Sequence, residues 1–226
     1  MLPTRDNQLP RITFRHLGGY LLEEFNLQRG IGYTFKKWLL SPRKAAAEYL
    51  FVDRRRMMKP LPLLLLMATV TTLLSFYFLD IDRELSPGKL DGALPARLAR
   101  AVSRVLPLIQ QYFHIALLSN LPAQALATYF IFRKARLFYP EHLVINMYLA
   151  CVQYLFVLPA IPLLERFPVY GTGISLISLG YQYFALTHIF EQTWLRGLLK
   201  FLGVFLLTQI FYSLLLTLII LILANF

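Results

Sequence analysis

Cysteine is almost missing from this sequence: Cys151 is the only one in 226 residues. A single thiol excludes an internal disulfide and any cysteine-based zinc knuckle. Charge is scarce too. Asp, Glu, Lys and Arg make up 15% of the chain, against about 25% in a typical soluble domain. Disordered, collagen-like and disulfide-stapled classes are thereby excluded. Acids are the scarcer sign, 12 against 23 Lys and Arg, leaving a formal net charge of +11. Catalytic signatures are missing as well. There is no nucleophile elbow, Walker loop, HExxH or dinucleotide-binding glycine pattern. Gly18-Gly19 and Gly171-Thr172-Gly173 lack the strand–turn–helix context of a phosphate loop. The residues point to no enzyme chemistry and no cofactor.

What is abundant is oil. Hydrophobic residues make up 57% of the chain, and the mean hydropathy is +0.54. A basic soluble protein would suggest nucleic acid, but so apolar a chain speaks against that partner. A bilayer accounts for both facts, with apolar runs for the hydrocarbon and cations for the anionic inner surface. A crossing helix needs about 20 mostly apolar residues. Five stretches qualify: 60–79, 107–132, 141–164, 173–190 and 201–224. The expected fold is therefore all-α, a polytopic transmembrane bundle of about five spans over residues 60–226. A basic cytoplasmic segment of amphipathic helices, residues 1–59, precedes it.

Orientation follows from Lys and Arg in the short loops. With the N-terminus inside, segments 1–59, 133–140 and 191–200 carry 12, 3 and 2 of them, whereas 80–106 and 165–172 carry 5 and 1. This asymmetry places the N-terminus in the cytoplasm and the C-terminus outside, in a bacterial inner membrane. Trp38 and Trp194 both fall on the inner side, as interfacial anchors do. No short apolar core of a cleavable signal precedes residue 60, so 60–79 is expected to stay as an anchor.

The N-terminal segment shows helical apolar spacing. Phe14, Leu17, Leu21 and Phe25 form one face; Ile31, Phe35, Trp38 and Leu39 form a second. Ser41-Pro42 has the form of a helix start, and Ala45, Ala46, Ala47, Tyr49 and Leu50 follow. Arg54, Arg55, Arg56 and Lys59 come just before the first span. Such a run serves topology and leaflet contact, and it is also a candidate site for an anionic lipid or phosphate, which arginine grips bidentately. The loop at 80–106 carries another amphipathic stretch, Leu98, Val102, Val105 and Leu106 opposite Arg97, Arg100 and Arg104.

Polar residues inside spans are costly and face the bundle interior. Here they form stripes: Asn120, Gln124 and Thr128; His142, Asn146 and Gln153; Tyr181, His188 and Glu191; Gln209, Ser213 and Thr217. The topology sets Glu141 and His142 at the same depth as His188 and Glu191. With Asn146 they form a candidate polar cluster. Converging imidazoles and carboxylates suit a divalent metal, a proton relay or a headgroup contact. The structural alternative makes Glu141 a helix N-terminal residue, His142 an interfacial one, and His188 and Glu191 a local pair beside Arg196. His114 is expected in an interhelical hydrogen bond and Cys151 in packing.

Three local patterns carry a family resemblance. They are Arg11-Ile12-Thr13-Phe14-Arg15-His16-Leu17; Gly32-Tyr33-Thr34 with Leu39, Leu40 and Pro42 leading to Tyr49 and the arginine run before Pro60; and Glu141-His142-Leu143-Val144-Ile145-Asn146. Over roughly residues 11–150 the chain resembles an uncharacterised bacterial inner-membrane family, domain-of-unknown-function family three-six-six-seven. The resemblance implies the membrane-bundle fold and marks Glu141 and His142 for testing, and that family has no assigned activity. Members often carry an N-terminal zinc ribbon on paired cysteines, which this chain lacks.

Two functions of different class follow as expectations. The first is binding or transport of a small ligand, lipid or proton through the polar seam between spans. The second is a membrane-anchored scaffold that recruits a partner through the basic segment. Expected partners are the bilayer with its anionic inner-leaflet lipids, and a second copy or another membrane protein, with no nucleic acid.

Overall fold

The computed structural model describes residues 30–78, 113–164, 167 and 169–225. The apolar face from Phe14 to Phe25, the amphipathic stretch around Val102 and the side chain of His114 lie outside the described residues. Among the described residues every regular element is helical. The helices are α1 (Ile31–Leu40), α2 (Pro42–Ala47), α3 (Pro60–Phe78), α4 (Phe113–Ile131), α5 (Tyr139–Val157), α6 (Ile161–Leu164), α7 (Val169–Ile189) and α8 (Trp194–Asn225). A π-helical turn, Glu48–Val52, extends α2, and a 3₁₀ turn, Leu158–Ala160, joins α5 to α6. Pro159, which has no N–H to give an α-helix, sits in the latter turn.

Among the described residues, three segments are long and apolar enough to cross a membrane: Pro60–Phe78, Tyr139–Leu163 and Trp194–Leu215. The other two long helices, α4 and α7, have 19 and 21 residues but carry more polar side chains. Four helices close a ring in which α4 packs on α5, α5 on α7, α7 on α8, and α8 on α4, while α3 packs chiefly on α5. In lipid, such packing depends on close fit. Gly197 provides one close approach, because a Cβ there would lie 2.7 Å from Oγ1 and 2.8 Å from Cγ2 of Thr187.

The helices before the first span form a collar folded onto one end of the ring. Gly30 opens it at φ +123°, and a Cβ there would sit 2.9 Å from the Arg56 carbonyl oxygen. Only glycine permits both. Ser41 stands at the α2 N-cap position with Pro42 after it, although its hydroxyl makes no capping bond. Trp38 departs from the expected interfacial anchor. It is 1% exposed and stacks on Tyr148 of α5 at 4.5 Å. Polar bonds secure the same contact: Tyr181 OH donates to the Trp38 carbonyl at 2.7 Å, Tyr148 OH to the Met58 carbonyl at 2.6 Å, and Met58 N–H to Thr34 Oγ1 at 3.0 Å. An aromatic ring with so large a burial dominates local packing, so Trp38 becomes core. Trp194, 76% exposed, keeps the exposure an interfacial anchor needs.

Lys37 and Glu48 tie α1 to the π-turn through an ion pair, with Tyr33 OH also donating to Glu48 Oε1 at 2.9 Å. The ammonium hydrogen bond holds Glu48 below its ordinary 4.5, and the carboxylate in turn holds Lys37 above 10.5. Glu48 thus adds stability that is complete above its unfolded pKa and fades as pH falls through its depressed folded value. Lys37 adds stability that is complete below its unfolded pKa and fades as pH rises through its raised one. Thermal unfolding of wild type and Glu48→Gln checks this: the gap in Tm is expected to be widest near neutrality and to close toward strong acid.

Candidate functional site

His142 lies on the inward face of α5 with no exposed surface. Its ring stacks on Phe190 at 5.4 Å and meets the edge of Tyr129 at 5.8 Å, and neither ring nitrogen has a hydrogen-bond partner among the described residues. One turn on, Asn146 Nδ2 donates to Thr128 Oγ1 of α4 at 2.9 Å and to the His142 carbonyl at 2.8 Å. The two residues lie one turn apart on the same buried face of α5. Glu141, one position off that face, instead turns back to accept the Phe138 N–H at 2.7 Å, one half of a capping box.

The other two residues of the expected cluster stand apart. His188 is exposed, with Nδ1 2.9 Å from the Phe184 carbonyl oxygen. Glu191 is exposed and pairs with Arg43 of α2, in place of the expected local pair with His188. Among the described residues, no three His, Cys, Asp or Glu side chains are grouped so as to hold a metal. The physical reason is rotation. The buried face of α7 runs through Gln182, Ala185 and Leu186, and Tyr181 and His188 sit on its edge. That edge is covered at Tyr181, which α1 caps, and open at His188.

Arg54, Arg55, Arg56 and Lys59 are all exposed in the loop before α3. Arg54 Nε donates to the Tyr49 carbonyl at 3.3 Å, and Arg56 Nε lies 3.6 Å from Asp53. Met57 and Met58, 1% and 0% exposed, pin this loop to the bundle.

The stripes come together inside the ring. Asn120, Gln124, Gln153, Gln182, Thr208 and Gln209 line a cavity of 130 Å³ between α4, α5, α7 and α8. Gln153 Nε2 donates across it to Gln182 Oε1 at 3.1 Å. A second cavity, of 430 Å³, backs onto the same Asn120, Gln124, Gln153 and Leu179 and reaches Ser175 and Ser178. Among the described residues, no charged side chain lines either cavity. Three buried polar atoms on these walls have no partner among the described residues: Asn120 Oδ1, Ser178 Oγ and Thr208 Oγ1. Leaving such a group unpaired costs about 1–3 kcal/mol, so the walls call for a hydrogen-bonding occupant. The smaller cavity has room for about four waters at about 30 Å³ each. Periodicity had marked Asn120, Gln124, Gln153 and Gln209 but missed Ser175, Ser178 and Gln182, whose i, i+3, i+7 spacing is a helical stripe of the same kind.

Cys151 is buried and has no sulfur partner. No family model, curated protein or solved structure matches the chain.

Proposed function

We propose that this chain is a five-span protein of a bacterial inner membrane that admits a small neutral polar solute into the seam between α4, α5, α7 and α8 and passes it across. The spans are α3, α4, α5 with α6, α7 and α8, with the N-terminus inside and the C-terminus outside. Apolarity supports three of them. For α4 and α7, the support is that their polar residues turn into a ring formed with two of those three. Placing Arg54, Arg55, Arg56 and Lys59 against the anionic inner leaflet belongs to the same reading. So does membership of the family three-six-six-seven, which rests on the motifs alone.

One observation carries the solute reading. Two cavities share a partition of amides, and the partition and its surroundings carry unpartnered hydrogen-bonding atoms without charge. Neutral amides and hydroxyls bind by hydrogen bonds, and they offer an ion no counter-charge in a medium where an unpaired charge is costly. The scaffold alternative draws less support, because the apolar face of α1 is already occupied by the bundle.

The test is thiol accessibility in a Cys151→Ala background. A thiol reacts as its thiolate, a form that needs a polar, wetted setting. Thr208→Cys, on the cavity wall, is expected to react with neutral methyl methanethiosulfonate and to be slowed by glycerol. Thr72→Cys on α3, buried to the same 8% exposure but lining neither cavity, is expected to stay inert. Equal inertness at both positions would contradict a wetted seam.

A further inference from the structure

Where the collar meets the end of the ring it leaves an apolar groove of 440 Å³. Its floor comes from Ala46 and Ala47 of α2, Leu50 and Phe51 of the π-turn, Ile145 of α5 and Ile189 of α7. Phe51 is 68% exposed, so the aromatic end of that floor is open. Arg43 and Glu191 form the polar rim and pair with each other, their side chains 61% and 62% exposed. Glu191 holds its place at φ +50°, a left-handed setting at a helix end that usually takes glycine.

Cations prevail around this rim. Lys44 follows Arg43, and Arg133, Lys134 and Arg136 flank Ala135, itself a lining residue; all four cations are exposed. Among the lining residues Glu191 is the only acid. An apolar floor selects an amphiphile over free phosphate, and a cationic rim selects an anionic head over a zwitterionic one. Guanidinium grips phosphate oxygens bidentately. We propose that the groove holds one acyl chain of an anionic phospholipid, with its phosphate taking Arg43 from Glu191. Glu191 is then the competitor that keeps the empty groove closed by charge. The site is separate from the seam, and neither depends on the other.

The test titrates the full chain in neutral detergent with dioleoylphosphatidylglycerol or dioleoylphosphatidylcholine, read by native mass spectrometry. Wild type is expected to bind the phosphatidylglycerol at least about fivefold tighter, the scale of one charge-assisted contact. Glu191→Gln removes the competitor and is expected to raise that affinity by about threefold or more. Arg43→Gln is expected to lower phosphatidylglycerol affinity at least about fivefold and phosphatidylcholine affinity less, with an unchanged thermal melt showing that the variant is folded. Ala47→Trp fills the groove and is expected to weaken both lipids. Equal affinity for the two lipids in wild type, or no gain in Glu191→Gln, would overturn the assignment. Oleate binding with the same Arg43 dependence, in place of the phospholipid, would overturn it too.

Discussion

Replacing Trp38 with alanine is expected to lower stability by about 3–5 kcal/mol, the usual cost of emptying a large aromatic site. The indole is 1% exposed and stacked on Tyr148, so its loss leaves a void between collar and bundle. The backbone around it is also at stake. Its carbonyl accepts the Tyr181 hydroxyl, and Tyr148 in turn holds the Met58 carbonyl. Trp38→Phe gives the contrasting result. Trp38 Nε1 has no hydrogen-bond partner, so phenylalanine keeps much of the stack and loses no polar bond. A smaller loss, about 1–2 kcal/mol, is expected there, because only part of the indole volume is vacated. Thermal unfolding in detergent measures both, and trypsin cleavage at Arg54, Arg55 and Arg56 should speed up in the alanine variant alone. Equal loss in the two variants would mean that the full volume of the bicyclic indole, and not an aromatic stack as such, secures the collar.

The second large effect concerns the Gln153–Gln182 bridge. Gln153→Leu leaves the Gln182 amide, 8% exposed, facing a leucine, and a stranded buried polar group costs about 1–3 kcal/mol. Adding Gln182→Leu removes the stranded group and fills the same space with apolar atoms. The double variant is therefore expected to regain most of that loss, because residues in direct contact are not additive. Function should follow the opposite course. The single variant keeps half of the amide partition, whereas the double one makes its centre apolar and unfit for a polar solute. Recovered stability with lost passage is a combination that a merely structural glutamine pair does not produce.

Much of the fold is legible in the sequence because hydropathy reports what a bilayer demands. The first span was expected over 60–79 and the helix is Pro60–Phe78; the third was expected over 141–164 and the apolar segment is Tyr139–Leu163. Helix starts were less legible. The stretch expected from 201 begins at Trp194, because backbone hydrogen bonding continues through Arg196 and Lys200 beyond the apolar run. Hydropathy marks the oily part of a helix, not its first turn.

The candidate sites divide along a similar line. Period alone placed Asn120, Gln124 and Gln153 on inward faces, and all three line the seam. The topology set His188 at the depth of His142, but equal depth does not bring two side chains together. A stripe gives the direction of a side chain relative to its own helix, but it holds no record of how that helix is rotated against its neighbours. His142 turns inward, His188 lies on an uncovered edge, and Glu191 is drawn to Arg43 in a helix 148 positions earlier in the chain. Trp38 shows the same limit: its period was legible, but its stacking partner Tyr148, far along the chain, was not.

The most direct measurement of the central claim is glycerol entry into liposomes reconstituted with the full chain, followed by light scattering after an osmotic step. Wild type is expected to admit glycerol faster than protein-free liposomes, with no parallel rise in sodium or chloride leak, since the seam offers no counter-charge. The Gln153→Leu/Gln182→Leu protein, inserted to the same level, is expected to fall back to the protein-free rate. Glycerol entry that is unchanged by the double substitution, or no faster in wild type than in empty liposomes, would contradict the account.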